Sequence, residues 1–237
     1  MNYLYLLVDL ASISVPLAFS FHPKIALYKH WKAMWPAILM AALPFLIWDA
    51  YFTELAVWGF TPRYLTGIYL FNLPIEEVLF FICIPYACLF TYFCFKIWKG
   101  PEYRLWSEKI VSVIFILTSA FLAFTNSGRA YTFSATGLLA IFLVYLQFKK
   151  PSWLGLFYFS HAFLLVPFFI VNGILTGTGL DEPIVWYNNQ ENLGIRILTV
   201  PVEDVFYGMI MLLLNTSLFE WGLKRTRRTL SPAKVLQ

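Results

Sequence analysis

Runs of roughly 20 apolar residues, parted by short polar clusters, recur along this chain from one end to the other. At 1.5 Å of helical rise per residue, each run reaches about 30 Å, the thickness of a bilayer's hydrocarbon core. A soluble domain of 237 residues could not hide them. Sixty per cent of the residues are hydrophobic, 13% are charged, and the mean hydropathy is +0.69. With lipid as solvent, backbone polar groups must be satisfied inside each segment or in a closed barrel. The alternation of barrel strands is absent, so the sequence predicts an all-α membrane protein.

Hydropathy with polar punctuation predicts seven transmembrane helices, over residues 3–21, 34–53, 74–95, 110–126, 131–148, 153–176 and 198–220. The first run lacks a basic leader and a small-residue cleavage site, and reads as a span rather than a signal peptide. Alternate loops and the tail hold 14 of the 17 Lys and Arg residues. Only Arg63, Arg129 and Arg196 fall on the other side. The positive-inside rule then expects an inner cell membrane protein with its N-terminus outside and its C-terminus in the cytoplasm. Cys83, Cys88 and Cys94 share one apolar segment without metal-ligand spacing and read as small buried hydrophobes. His22, His30 and His161 are scattered and read as surface or packing residues.

Two stretches of the chain match each other. Leu43-Pro44-Phe45-Leu46-Ile47-Trp48-Asp49 matches Val166-Pro167-Phe168-Phe169-Ile170-Val171-Asn172. Gly67-Ile68 then matches Gly194-Ile195, and Pro74-Ile75-Glu76-Glu77 matches Pro201-Val202-Glu203-Asp204. The expected architecture is therefore a pair of three-helix repeats inserted in parallel orientation and joined by a connector helix. The first repeat is placed at 1–100, the connector at 101–128, the second repeat at 129–223 and a basic cytoplasmic tail at 224–237.

The acids carry the chemistry. Proline followed by acids is also ordinary helix-start chemistry, favoured by the helix dipole. Here, however, both pairs lie in strongly apolar sequence, and Asp49 sits late in the second span, where an unpaired carboxylate is costly. Glu76, Glu77, Glu203, Asp204 and Asp49 are the candidate catalytic groups. Asn172 stands where the other half has Asp49, and is assigned to substrate binding with Arg196, Asn72 and Trp48. Neighbouring buried carboxyls can keep one proton available while a partner stays ionised. The sequence leaves open which member of each pair is acid or base. Adjacent helical residues point about 100° apart, so one per pair facing the site is a further reading. Arg196 reads equally as a partner of Glu203 or Asp204 and as a plain interfacial arginine. No nucleotide loop, metal cluster or nucleophile–base motif is present, so no cofactor or metal is expected. Nucleic acid is not an expected partner.

The duplicated Pro-hydrophobe-Glu-Glu/Asp motif, with Trp48-Asp49, Gly67-Ile68 and Asn192-Leu193-Gly194-Ile195-Arg196, resembles the carotenoid cyclases that occur as heterodimers or as fused two-unit chains. The resemblance covers nearly the whole chain. It implies a non-redox lyase or isomerase that converts lycopene through monocyclic γ-carotene to β-carotene, acting on a lipid-soluble polyene. It also implies membrane lipid, and pathway enzymes or a second copy, as partners. Two alternatives remain on the residues alone. A membrane prenyltransferase would need spaced acid clusters for Mg²⁺, and a proton-coupled transporter would also use duplicated intramembrane acids. A covalent retinal protein would need a lysine within a span, and none lies between Lys150 and Lys224.

Overall fold

The computed structural model describes residues 3–100 and 103–230. The described residues form a helical bundle of α1 (Leu4–Phe19), α2 (Trp31–Glu54), α3 (Ile75–Lys99), α4 (Glu108–Thr125), α5 (Ala130–Lys149), α6 (Leu154–Leu175) and α7 (Val202–Leu230). Six of these are long and apolar enough to cross a membrane. The helix α1 has 16 residues, which at helical rise is about 24 Å, so it is shorter than the span expected over 3–21. The last helix is longer than expected and starts later. It runs to Leu230, so the first seven residues placed in a basic tail continue the helix, while residues 231–237 lie outside the described ones.

Apolar side chains face both ways, as lipid solvation allows. On α4, Ile110, Val113, Ile114, Leu117, Phe121 and Phe124 are exposed, whereas Ser112, Ser119 and Ala123 face inward. Small residues on the inner stripe let α4 lie close to α5, where Gly137 faces Ala123. The bundle is assembled by α1 on α3, α5 on α7, α2 on α7 and α3 on α6. At the end where α3 finishes, Glu220 of α7 accepts from Tyr92 at 2.6 Å and pairs with Lys96, which ties α3 to α7.

At the opposite end, short strands fix the site. The strand β1 (Trp58–Phe60) follows α2 and β4 (Val185–Tyr187) follows α6, and the two pair antiparallel with Gly59 opposite Trp186. A Cβ at Gly59 would come within 2.3 Å of the Trp186 indole, so glycine is required there. Two hairpins of identical register, β2–β3 (Tyr69–Leu70, Leu73–Pro74) and β5–β6 (Arg196–Ile197, Val200–Pro201), lead directly into α3 and α7. Both turn on a residue of positive φ, Phe71 and Leu198. Gly59→Leu should lower the thermal unfolding midpoint in detergent by an amount equivalent to about 1–3 kcal/mol of overpacking, whereas Gly128→Ala, in open space, should leave it unchanged.

Candidate active site

The helices α3 and α7 begin immediately after Pro74 and Pro201, whose fixed φ suits a helix start and which need no N–H partner. The two acids that follow each proline then point apart. Glu76 turns back to its hairpin and accepts the Thr66 backbone N–H at 2.6 Å. Glu203 accepts the Leu193 N–H at 2.7 Å and the Thr132 hydroxyl at 2.7 Å. Both are fully buried away from the cavity, and they hold the loops in place. Their neighbours, Glu77 and Asp204, face inward into a cavity of about 290 Å³.

This cavity is an apolar channel with polar groups gathered at one end. One stripe of α3 lines it (Glu77, Phe80, Ile84, Ala87, Thr91), facing a stripe of α6 (His161, Leu164, Phe168, Asn172) and Asp204, Gly208 and Met211 of α7. From Glu77 to Thr91 the helical rise gives a depth of about 21 Å. At the polar end, Asp49 arrives from the last turns of α2. Its Oδ1 accepts from Trp58 Nε1, and its carboxyl lines the same end of the cavity as that of Glu77. No N–H or O–H of the described residues reaches Asp49 Oδ2. Neighbouring buried carboxyls favour keeping one proton between them over both being ionised.

Tyrosines complete the arrangement. Tyr5 of α1 donates to Glu77 Oε2 at 2.5 Å. Asp204 accepts from Tyr131 at 2.6 Å and from Tyr187 at 3.1 Å, which makes it an acceptor at both oxygens. Tyr187 lies on β4, where burial and the neighbouring Asp204 raise its phenol well above the ordinary value, so it remains a donor. Trp58, Tyr131, Tyr187 and Tyr207 form an aromatic wall, with ring centroids 5.0 Å apart for Trp58–Tyr131 and 5.8 Å for Tyr131–Tyr187. Tyr207 closes it, 6.1 Å from both Trp58 and Tyr131.

Of the residues singled out by sequence, Glu77, Asp204, Asp49 and Asn172 line the cavity, and Asn172 also donates to the Phe168 carbonyl. Glu76, Glu203, Asn72, Trp48 and Arg196 do not. Asn72 donates to the Ala50 carbonyl and so ties the hairpin to α2. Trp48 packs on Tyr207 with ring centroids 4.9 Å apart. Arg196 makes no ion pair with Glu203 or Asp204. It donates to Thr199 O and Asn189 Oδ1 and lies against the Tyr187 ring, because its hairpin carries it outward.

Sequence reasoning missed Tyr5 and Tyr131, which lie 72 and 73 residues before the acids they serve. A tyrosine opening the first span of each half was a usable signal. It also missed Asp9, a lone acid in the first span, fully buried with neither carboxyl oxygen partnered among the described residues. His161 packs on Phe157, as a packing residue would, but also lines the channel with both ring nitrogens unpartnered. Among the described residues, no three His, Cys, Asp or Glu side chains converge to hold a metal ion.

Buried carboxyls gathered at the end of an apolar channel, among membrane-type helices, have the layout of an acid–base site open to an apolar ligand. The chain belongs to the lycopene cyclase family, whose model matches residues 2–95 and 128–222. A curated relative, the bifunctional lycopene cyclase/phytoene synthase of Aspergillus niger, is 31% identical over 94 residues. That match spans 39% of this chain and 16% of the relative's length. No solved structure matches the chain.

Glu203→Ala should strip the Leu193 N–H and the Thr132 hydroxyl of their acceptor. A stability loss of about 1–3 kcal/mol is expected, read as a lower unfolding midpoint in detergent, with Glu77→Gln affected far less.

Proposed function

We propose that this protein is a lycopene β-cyclase, an isomerase that needs no cofactor, and that Asp49, Glu77 and Asp204 carry out the reaction. The observation that supports this most directly is the gathering of Asp49, Glu77 and Asp204 at one end of an apolar channel, with Asp204 held as an acceptor by two phenols. The proton shared by Asp49 and Glu77 adds to carbon 2 of a lycopene ψ-end and leaves a tertiary cation at carbon 1. The 5,6 alkene attacks carbon 1, the ring closes, and the charge moves to carbon 5. Asp204 removes the proton from carbon 6, which restores the 5,6 double bond as a β-ring. Proton count and oxidation state are unchanged. Return of the proton from Asp204 to Glu77 resets the site.

The aromatic wall of Trp58, Tyr131, Tyr187 and Tyr207 faces the path of the cation and would stabilise it by roughly 0.5–2 kcal/mol per ring. Dry, apolar walls keep water from capturing the cation as an alcohol. The same reading takes all seven helices as spans, with α1 reaching across by virtue of its flanking residues. It keeps the two parallel repeats at 1–100 and 129–223, the connector at 101–128, and an N-terminus outside with a cytoplasmic C-terminus. Substrate enters from the lipid, and pathway enzymes or a second copy are its natural partners.

Expression in a lycopene-accumulating bacterial host should convert lycopene into γ-carotene and β-carotene, resolved by chromatography. Glu77→Gln, Asp49→Asn and Asp204→Asn should each cut conversion about 10²- to 10⁴-fold, the usual reach of general acid–base catalysis. Unchanged lycopene with the wild-type chain verified in the membrane would sink this reading. So would variants that cyclise at the wild-type rate. Tyr207→Leu should slow conversion by roughly 2- to 30-fold, the kinetic equivalent of losing one cation–π contact.

A further inference from the structure

The match between the halves relates α2 to α6 at a spacing of 123 residues and α3 to α7 at a spacing of 127. The packing of α2 on α7 is thus the counterpart of the packing of α3 on α6. The two interfaces are filled very differently. Between α3 and α6 lies the channel, with Gly208, Phe168, Val171 and Leu175 on its wall. The matched residues on the other side are Phe81, Phe45, Trp48 and Phe52. There Phe45 meets Phe81 at 6.1 Å and Tyr207 at 5.2 Å, while Trp48 meets Phe52 at 5.8 Å. Three larger side chains occupy the space that Gly208, Val171 and Leu175 leave open.

At the far ends of the helices Gly222 of α7 lies so close to Ala33 of α2 that a Cβ would approach the Ala33 Cβ to 2.9 Å. Beside this pair a separate cavity of about 300 Å³ is lined by Lys32, Pro36, Trp221 and Arg225 and reaches none of the acids. The counterparts of Gly222 and Ala33 are Phe95 and Leu156. Phe95 meets Phe159 of α6 edge-to-face at 5.2 Å and Phe163 at a tilt at 5.1 Å, so three rings fill the space between α3 and α6 there.

We propose that the chain has a single polyene channel that reaches the acids, between α3 and α6, that Gly208 is the residue that keeps it open, and that the aromatic plug of Phe45, Trp48, Phe52 and Phe81 cuts the acids off from the far-end cavity between α2 and α7. This rests on the cyclase reading for its substrate. One channel admits one end of a chain-like polyene at a time, so each ring requires a separate binding event. A two-ended substrate must leave and re-enter reversed before the second ring can form. Gly208 and Val171 are specificity-determining residues in this scheme, and Phe81 is plug.

The test measures polyene bound per chain, by pigment absorbance after detergent purification from lycopene-accumulating cells, alongside cyclisation. The wild type and Phe81→Leu should each hold one polyene per chain and cyclise. Gly208→Phe should hold less than a tenth of that and lose activity in proportion. A Cβ at position 208 already comes within 3.2 Å of the Phe168 ring, so adding Phe168→Ala should restore both binding and activity. Should Gly208→Phe fail to accumulate, Val171→Trp, which copies Trp48 into the channel, carries the same expectation. In a timed assay free monocyclic product should rise and fall before bicyclic product appears. Two polyenes per chain, or full binding and turnover with the channel position filled, would overturn the single channel. A wild type that binds one polyene but leaves it acyclic would instead overturn the cyclase reading alone.

Discussion

The gathering of Asp49, Glu77 and Asp204 at one end of the channel is the point on which the rest of this structure turns. Carboxyl groups removed from water are tolerated only when donors reach them or protons neutralise them. Here five elements converge to meet that requirement. The helix α1 brings Tyr5, α2 brings Asp49 itself, β1 brings Trp58, α5 brings Tyr131 and β4 brings Tyr187. Each donor is held by a different part of the chain, so the cluster also acts as a fastening for one end of the bundle. The antiparallel pairing of β1 and β4 brings Trp58 and Tyr187 side by side between the acids they serve.

Acids that fasten loops and acids that face the channel are divided by one residue of helical rotation. Glu76 and Glu203 each accept a backbone N–H of the preceding segment at Oε1 and so fix the hairpins, while Oε2 of each has no partner among the described residues. That leaves Glu77 and Asp204 free to face the channel at defined positions. The second acid could not be held so well without the first, because the hairpin that each first acid secures is what starts α3 or α7. A carboxylate in the first turn is also favoured by the helix dipole, so the two acids of each pair share a common origin and differ in use.

Much of this was legible in the sequence, and the limits of legibility have particular causes. Hydropathy located the helices because lipid solvation acts on every residue of a run. It misplaced the last helix because basic residues such as Lys224 and Arg225 extend a helix into the interfacial region as readily as they end one. The paired motif pointed to all four acids, yet not to their division of labour. Asn72 and Trp48 were natural guesses by proximity along the chain. They fell away because one is turned to the Ala50 carbonyl and the other into an aromatic cluster. Tyr5 and Tyr131 share a position at the opening of each half's first span, but tyrosines near membrane ends are ordinary interfacial residues until a fold brings a carboxylate to them.

The sequence by itself determined the membrane character, the helices, the matched motifs and the presence of intramembrane acids. Each of these is written in local composition or in spacing along the chain. Only the tertiary structure decided that Asp49 lines the same end of the cavity as Glu77, that Asp204 has two phenol donors, and that space survives beside Gly208 but not beside Phe81. Those outcomes depend on which faces of distant helices meet and how closely they approach. A difference of about 100° around one helix, or of one aromatic ring at an interface, separates a buried fastening from an acid facing the channel, and open space from filled.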